Sequence, residues 1–266
     1  MQKNNSYALI TGATGGLGKA FVNAYAKRGI PLILTGRSEE KLSALQREMK
    51  KLYGDLPVLV YAVDLTSAKE RTAFFNALIS RGVLLSALVN VAGADIQKAF
   101  QDYTQEKISF QCRVNLESAI STCKFAVDHR AERLEIINIS SVSGLYPMPY
   151  FAIYSATKTA LTSFSLSLRQ EMKKKGVFVT AVLPGAMPTR EDIKEQIKGQ
   201  GLWGKIAVKS PDFVAERSIK AVKKNKAKII PGFWNKVMRV FTAWIPLSWK
   251  MHFIAKRWSK ISKDAF

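Results

Sequence analysis

The chain has 266 residues, 47% of them hydrophobic, so it can bury a large core and is not mostly disordered. Its net charge of +21, from 41 basic and 20 acidic residues, favours anionic partners such as nucleotides, nucleic acids, acidic proteins or lipid headgroups. No apolar run reaches the length of a membrane span or a signal-peptide core, which predicts a cytoplasmic protein.

Short β-rich segments alternate with helical patterns from residue 7 to about residue 230. The predicted strands cover residues 7–11, 31–35, 57–63, 87–91, 134–139, 177–183 and 228–230. Near-continuous Val, Ile and Leu strands separated by helices predict a doubly wound α/β (Rossmann) fold, with a mostly parallel seven-stranded sheet covered by helices on both faces. Neither a repeat nor a linker divides the pattern, so residues 1–232 are interpreted as a single domain.

A basic amphipathic extension follows over residues 233–266. Apolar residues recur there at helical spacing, Pro246 interrupts them, and Asp264 is the only acidic residue after Arg217. Two interpretations stay open. The helices lie on a membrane surface through their aromatic side, as a peripheral contact, or they pack on their own domain or a second subunit.

A glycine-rich turn joins the first predicted strand to a helix. Glycines let the backbone turn sharply and approach a pyrophosphate, and the N terminus of the helix offers N–H groups to the phosphates. The turn therefore predicts dinucleotide binding. The expected contacts are Thr11, Gly12, Thr14, Gly16, Leu17 and Gly18.

Tyr154 and Lys158 are one turn apart on a predicted helix, so their side chains share a face. A nearby ammonium favours the ionised phenol, which suits the pair to acid/base chemistry at a carbonyl or alcohol. Tyr103 and Lys107 have the same spacing, so the spacing alone is weak evidence. Ser141 lies 13 residues before Tyr154, at the end of an apolar strand where open α/β sheets bind ligands. This context selects Tyr154.

The glycine turn, Ser141 and the Tyr154/Lys158 pair together resemble the short-chain dehydrogenase/reductase family, over roughly residues 7–190. The resemblance implies an oxidoreductase that interconverts a carbonyl and a secondary alcohol with a nicotinamide cofactor. It implies that Ser141 and Tyr154 bind the substrate oxygen and that Asn115 holds a water leading to Lys158, which contacts the nicotinamide ribose. The further cofactor contacts that it implies are Asp64, Leu65, Asn90, Ala92, Gly93, Tyr154, Pro184, Gly185 and Thr189.

The end of the second strand indicates which nicotinamide cofactor is used. In the family that this chain resembles, an acidic side chain there binds the adenosine ribose of NAD(H). The sequence Thr35-Gly36-Arg37-Ser38 offers no carboxylate, and Arg37 and Ser38 suit a 2′-phosphate. NADP(H) is therefore favoured over NAD(H). No metal site is expected, and Cys112 and Cys123 are predicted to be reduced and structural.

The loop at about residues 186–210 is expected to select the substrate. It carries Met187, Leu202, Trp203 and Ile206, which favour a lipophilic molecule. The chain resembles family members that act on steroids, long acyl chains or other hydrophobic ketones, and the resemblance implies a homodimer or homotetramer. A rival hypothesis is a membrane-surface or nucleic-acid-binding scaffold or redox sensor that retains the fold. Charge supports it, but no specific nucleic-acid motif is present.

Overall fold

The computed structural model of the chain describes residues 6–188 and 208–259. Its strands form one parallel sheet in the order β3-β2-β1-β4-β5-β6-β7. This confirms the predicted doubly wound α/β fold. The strands are β1 (Ser6–Thr11), β2 (Leu32–Gly36), β3 (Val58–Ala62), β4 (Leu84–Asn90), β5 (Arg130–Ile139), β6 (Val177–Val182) and β7 (Lys228–Ile229).

Helices cover both faces of the sheet. One face carries α1 (Gly16–Ala26), α2 (Glu39–Tyr53) and α7 (Pro211–Lys223). The opposite face carries α3 (Ala68–Ser80), α5 (Ser118–Asp128) and α6 (Ala152–Glu171). Between α3 and α5, α4 (Gln105–Cys112) continues into α5 through a π turn, Arg113–Glu117.

The core consists of two apolar layers, one on each side of the sheet. Successive side chains of a strand point to opposite faces, so Ile10 of β1 packs with Phe21 of α1, whereas Leu9 packs in the layer that contains Phe74 of α3. All four side chains are at most 3% exposed. Each such burial contributes about 1.5–3 kcal/mol. The resulting rigid sheet fixes the positions of the loops at its edge.

The chain beyond β7 forms two helices, α8 (Phe233–Ala243) and α9 (Leu247–Trp258), on either side of Pro246. The predicted helical tail is therefore present, while its treatment as a unit separate from residues 1–232 stays a prediction. Among the residues that the structure describes, none of the helices is long and apolar enough to span a membrane. Both cysteines are free, Cys112 exposed and Cys123 buried.

Candidate active site

The site lies where the carboxyl ends of β1, β4, β5 and β6 meet at one edge of the sheet. β1 is flanked by β2 on one side and β4 on the other, so the order of strands reverses there. Open α/β sheets bind ligands in the crevice at such a switch point. The loops that follow these four strands carry most of the residues that the sequence singles out.

The glycine turn after β1 is closed tightly at Gly12 and Gly18, where a side chain does not fit. Gly12 has a φ of +63°, and a Cβ on it would lie 3.0 Å from the Cα of Ala92. A Cβ on Gly18 would lie 2.1 Å from the carbonyl oxygen of Gly12. α1 begins at Gly16, and its N-cap residue, Gly15, has no side chain to cap the helix. Its first N–H groups are thus left to a ligand, as anion binding requires.

Thr11 joins this turn to the loop after β4. Its hydroxyl is buried, and it accepts hydrogen bonds from the N–H groups of Val91 and Ala92, each at 3.1 Å. The side chain thereby holds two loops of the site together. Its predicted contact with the cofactor stays a prediction.

Asn115 lies in the π turn between α4 and α5 and is 1% exposed. Its Oδ1 accepts from the N–H of Ala94 at 2.8 Å, and its Nδ2 donates to the carbonyl of Ala94 at 2.9 Å and to Thr157 Oγ1 at 3.2 Å. π turns inside helices occur frequently at functional sites. A Cβ on Gly93 would lie 2.9 Å from Asn115 Oδ1 and 3.3 Å from Lys158 Nζ, so these three residues converge.

Lys158 projects from α6 into the interior. Its Nζ donates to the carbonyl oxygen of Ile139, the last residue of β5, at 2.9 Å and lies 5.7 Å from the centre of the Tyr154 ring. Burial lowers the pKa of this ammonium to about 8, and the negative charge of Asp95 partly opposes that shift. The proton on Lys158 is therefore easier to release than that of a surface lysine.

Ser141 and Tyr154 lie on either side of a short 3-10 turn, Val142–Leu145. Ser141 Oγ accepts from the N–H of Ser143 at 3.1 Å. The turn packs directly on α6, because a Cβ on Gly144 would lie 2.9 Å from the carbonyl carbon of Lys158. Thr159 Oγ1 also donates to the carbonyl of Gly144 at 3.0 Å. The turn that follows Ser141 is thus fixed against the helix that carries Tyr154.

The competing pair, Tyr103 and Lys107, has a different setting. The Tyr103 hydroxyl donates to the carbonyl of Ile96 at 2.8 Å, and the residue precedes α4. The choice of Tyr154 over Tyr103 stays a prediction.

A buried polar network lies beneath the site. Asn90 Nδ2 donates to Asn138 Oδ1 at 2.8 Å, Thr122 donates to Asn90 Oδ1 at 2.7 Å, and Asn138 Nδ2 donates to Ser165 Oγ at 2.9 Å. The amide of Asn90 is thus engaged inside the fold, and its predicted contact with the cofactor stays untested. Asn138 was missed from the sequence, although an amide within a buried Ile-Ile-Asn-Ile strand is a signal.

The end of the site near β2 and β3 carries the residues expected at the adenosine. Arg37 is exposed, its Cζ 6.0 Å from the centre of the Phe110 ring, and Ser38 caps α2. Asp64 Oδ1 accepts from the N–H of Thr66 at 2.9 Å and from its hydroxyl at 2.8 Å. Leu65 beside it is buried. This end of the site is exposed to solvent and carries the guanidinium of Arg37.

The opposite end is formed by Pro184 and Gly185 after β6. The carbonyl of Pro184 accepts from the N–H of Val142 at 3.1 Å. A Cβ on Gly185 would lie 3.0 Å from Nδ2 of Asn235 in α8, so the tail reaches this loop. Asn235 was missed from the sequence because it lies far along the chain. Thr189, Leu202, Trp203 and Ile206 lie outside the described residues.

Taken together, these residues fit a nicotinamide dinucleotide. The glycine turn forms a cradle that a Cβ on Gly12 or Gly18 would obstruct, the start of α1 suits a pyrophosphate, and the Lys158 ammonium lies beside Tyr154.

Comparisons with known proteins agree with the family resemblance of the sequence. The sequence profile of the family described as short chain dehydrogenase matches residues 6–198. The very-long-chain 3-oxoacyl-CoA reductase of Bos taurus is 34% identical over 191 residues, which cover 69% of this chain and 60% of that protein. The reductase of Macaca fascicularis is 33% identical over 190 residues, with the same coverage. The chain thus spans about 60% of the length of these relatives.

Solved structures share the fold over nearly the whole chain. A 7beta-hydroxysteroid dehydrogenase has a TM-score of 0.83 and 25% identity, covering 94% of this chain and 96% of its own. L-sorbose reductase from Gluconobacter frateurii, complexed with NADPH and L-sorbose, has a TM-score of 0.75 and 25% identity, covering 87% of this chain and 98% of its own.

Proposed function

This chain belongs to the short-chain dehydrogenase family of oxidoreductases, and from that premise we propose that it interconverts a carbonyl and a secondary alcohol with a nicotinamide dinucleotide. The observation that carries the proposal is the convergence of Asn115, Gly93 and Lys158 beside the Tyr154 ring. The turn that follows Ser141 packs on the same helix, α6. The rival hypothesis of a non-catalytic scaffold is not favoured, because such a protein has no need of this complete set.

The proposed roles follow from the chemistry of each side chain. When bound, the nicotinamide exchanges a hydride with the substrate carbon. The hydroxyls of Ser141 and Tyr154 bind the substrate oxygen, and in the direction of reduction Tyr154 donates its proton to that oxygen. The Lys158 ammonium, 5.7 Å from the Tyr154 ring, stabilises the phenolate that results. Asn115 holds a water through which the proton is replaced.

NADP(H) is the proposed cofactor. Arg37 is exposed at the end of β2, Ser38 follows it, and the segment Thr35-Gly36-Arg37-Ser38 contains no carboxylate that would repel a 2′-phosphate. A guanidinium can bind a phosphate through two parallel hydrogen bonds. The presence of NADPH in the structure of L-sorbose reductase, which is 25% identical to this chain, supports the proposal.

The proposed substrate is a lipophilic ketone or alcohol of the long-chain ketoacyl or steroid type. The support is that relatives are named very-long-chain 3-oxoacyl-CoA reductase and 7beta-hydroxysteroid dehydrogenase.

We also propose a homodimer or homotetramer in the cytoplasm, with a peripheral membrane contact through α8 and α9. The support for that contact is the exposure of large apolar side chains on these helices beside basic residues. Among them are Phe233, Trp234, Phe241, Trp244, Trp249 and Phe253, each at least 42% exposed.

The test is NADPH oxidation with a panel of hydrophobic ketones. We expect Tyr154→Phe to lower kcat by roughly 10²–10⁴-fold, as loss of an acid/base catalyst does. Tyr103→Phe, the matched control, should retain activity. Unchanged turnover in Tyr154→Phe would refute the mechanism, and absence of turnover with every ketone and alcohol would support the scaffold hypothesis instead.

A further inference from the structure

The tail contacts the catalytic helix through a chain of three aromatic rings. Trp258, the last residue of α9, packs against Phe151 with ring centres 5.7 Å apart and planes at 33°. Phe151, the N-cap of α6, packs edge-on against Tyr154 with ring centres 5.2 Å apart and planes at 78°. The geometry of both pairs is that of favourable aromatic contacts. The tail therefore reaches a direct neighbour of the proposed catalytic phenol.

Trp258 differs from two other tryptophans of the tail, Trp244 between α8 and α9 and Trp249 in α9. Trp244 is 87% exposed and Trp249 is 64% exposed, whereas Trp258 is half-buried. The exposure of Trp244 and Trp249 is typical of a surface that contacts another molecule. The position of Trp258 instead serves the chain's own site.

Phe151 is held in place by a strained turn. Tyr150 before it has a φ of +63°, a left-handed conformation that residues with a bulky side chain rarely adopt. The carbonyl of Tyr150 accepts from the N–H of Lys98 at 3.0 Å, which stabilises the turn. Such strain persists where the surrounding structure fixes it, often at binding sites. Phe151, which follows this turn, contacts both Trp258 and Tyr154.

The tail also meets the site at a second loop. The amide of Asn235 in α8 donates to the carbonyl of Pro231 at 2.9 Å and lies against Gly185. One helix of the tail therefore contacts the loop after β6, and the other contacts the start of α6. Both contacts are made with segments of the same site.

We propose that Trp258 is a substrate-specificity residue. With Phe151 it forms an apolar wall at the mouth of the site, against which the non-reacting hydrocarbon part of a lipophilic ketone packs. This inference rests on the proposed function. Each buried methylene tightens binding about fourfold, so the wall discriminates by chain length and leaves the carbonyl chemistry unchanged.

Steady-state kinetics of Trp258→Ala with a short ketone, 2-butanone, and two lipophilic ketones, 2-undecanone and progesterone, test the proposal. We expect the KM for at least one lipophilic ketone to rise roughly tenfold or more, since several methylenes lose contact. The KM for 2-butanone, kcat and the Kd for NADPH should stay within about twofold. Trp258→Phe, which keeps a ring, should restore most of the lost affinity.

The matched control is Trp244→Ala, which removes an exposed tryptophan of the same tail. The proposal is overturned by an equal change in KM for short and lipophilic ketones. It is also overturned if Trp244→Ala has the same effect as Trp258→Ala, because the effect then comes from the tail's exposed surface.

Ligand-observed NMR separates this inference from the reaction itself. Saturation transfer to 2-undecanone and progesterone, with NADP⁺ present, should be weaker in Trp258→Ala than in the wild type, whether or not turnover occurs. Turnover of 2-butanone without binding of either lipophilic ketone would overturn the role of Trp258 and leave the proposed reaction standing. Binding that depends on Trp258 without any turnover would support the role of Trp258 and contradict the proposed reaction.

Discussion

The ammonium of Lys158 donates a hydrogen bond to the carbonyl oxygen of Ile139, 2.9 Å away, from a side chain that is almost fully buried. The bond ties α6 to the end of β5 and places a positive charge inside the protein. Burial of a charge is unfavourable, which is why the pKa of Lys158 is lowered to about 8. α6 therefore carries a charge whose energetic cost depends on pH.

That dependence can be measured as stability. Between about pH 8 and 10.5, the unfolded chain retains the Lys158 proton and the folded chain releases it, so this residue makes the folded state more stable as pH rises. We expect the free energy of unfolding of the wild type, relative to Lys158→Met, to increase by up to about 3 kcal/mol over this range. Below pH 8 the full cost of the buried charge is present, and the difference should be flat.

Urea unfolding of both proteins at several pH values gives the measurement. Lys173→Met, which removes an exposed lysine, is the control and should show a difference that does not vary with pH. A flat difference for Lys158→Met as well would contradict a buried ammonium.

Asn115→Ala should destabilise the fold as well as reduce activity. The substitution removes two hydrogen bonds between Asn115 and Ala94. The buried N–H of Ala94 then lacks its acceptor, Asn115 Oδ1. An unsatisfied buried group costs about 1–3 kcal/mol, so we expect a loss of about 2–4 kcal/mol in the free energy of unfolding. Asn76→Ala on the exposed side of α3 should change stability by less than about 0.5 kcal/mol. A similar small loss for Asn115→Ala would show that Ala94 finds other partners.

Two glycines of the turn after β1 should respond in opposite ways to alanine. A Cβ on Gly18 would lie 2.1 Å from a backbone oxygen, and backbone cannot move away cheaply. A Cβ on Gly15 meets nothing closer than 3.5 Å. Gly18→Ala should therefore abolish NADPH binding and lower the Tm strongly, whereas Gly15→Ala should keep stability within about 1 kcal/mol. Thermal unfolding and NADPH titration distinguish them, and equal tolerance of both would mean that the turn is not closed this way.

Arg37→Asp should exchange the cofactor preference. A carboxylate at this position repels a 2′-phosphate and can bind ribose hydroxyls. We expect the ratio of kcat/KM for NADPH over that for NADH to fall by at least about tenfold, equivalent to about 1.4 kcal/mol. Arg47→Asp, an equal change of charge on the exposed surface of α2, is the control for the general field of the protein. A shift toward NADPH in Arg37→Asp would refute the phosphate clamp.

The tail should bind anionic lipid through its exposed aromatics. Co-sedimentation with phosphatidylglycerol-containing vesicles should fall at least about fivefold when Trp244 and Trp249 are both replaced by Glu, since each loses an interfacial aromatic and gains an unfavourable charge. Leu52→Glu, which changes a 58% exposed side chain on α2, should have little effect. Equal sedimentation of the wild type with neutral and anionic vesicles would contradict the proposed contact. Equal sedimentation in the presence and absence of vesicles would contradict it as well.

The sheet could be predicted well because its strands are near-continuous apolar runs. The two clearest differences are the starts of β4 and β5, at Leu84 and Arg130 rather than residues 87 and 134. Arg130, Glu132 and Arg133 are partly or fully exposed, and pairing there depends on backbone hydrogen bonds. At the start of β5, such pairing leaves no hydrophobic pattern for a sequence to show. At the start of β4, Leu84 and Leu85 are apolar, but Ser86 separates them from the run that follows.

Within the site, the spacing along a helix or turn was predictable, and contacts between distant segments were not. Lys158 one turn after Tyr154 follows from helical periodicity. The π turn at Asn115 depends on tertiary contacts with Ala94, and nothing local in Arg-Val-Asn-Leu announces it. The packing of Trp258 on Phe151 joins residues that only the complete fold brings together.

The pair formed by Asn90 and Asn138 has a consequence for how the chain assembles. The two residues are direct partners in the register of β4 and β5, and both are buried. A slip of one residue between these strands would turn one amide toward the opposite apolar layer, without its partner. Most of the neighbouring buried residues of β4 and β5 are Leu, Ile or Val, and these apolar side chains tolerate such a slip better than an amide does. The amide pair therefore fixes the register of β4 and β5, because mispaired strands would leave a buried amide without its partner during folding.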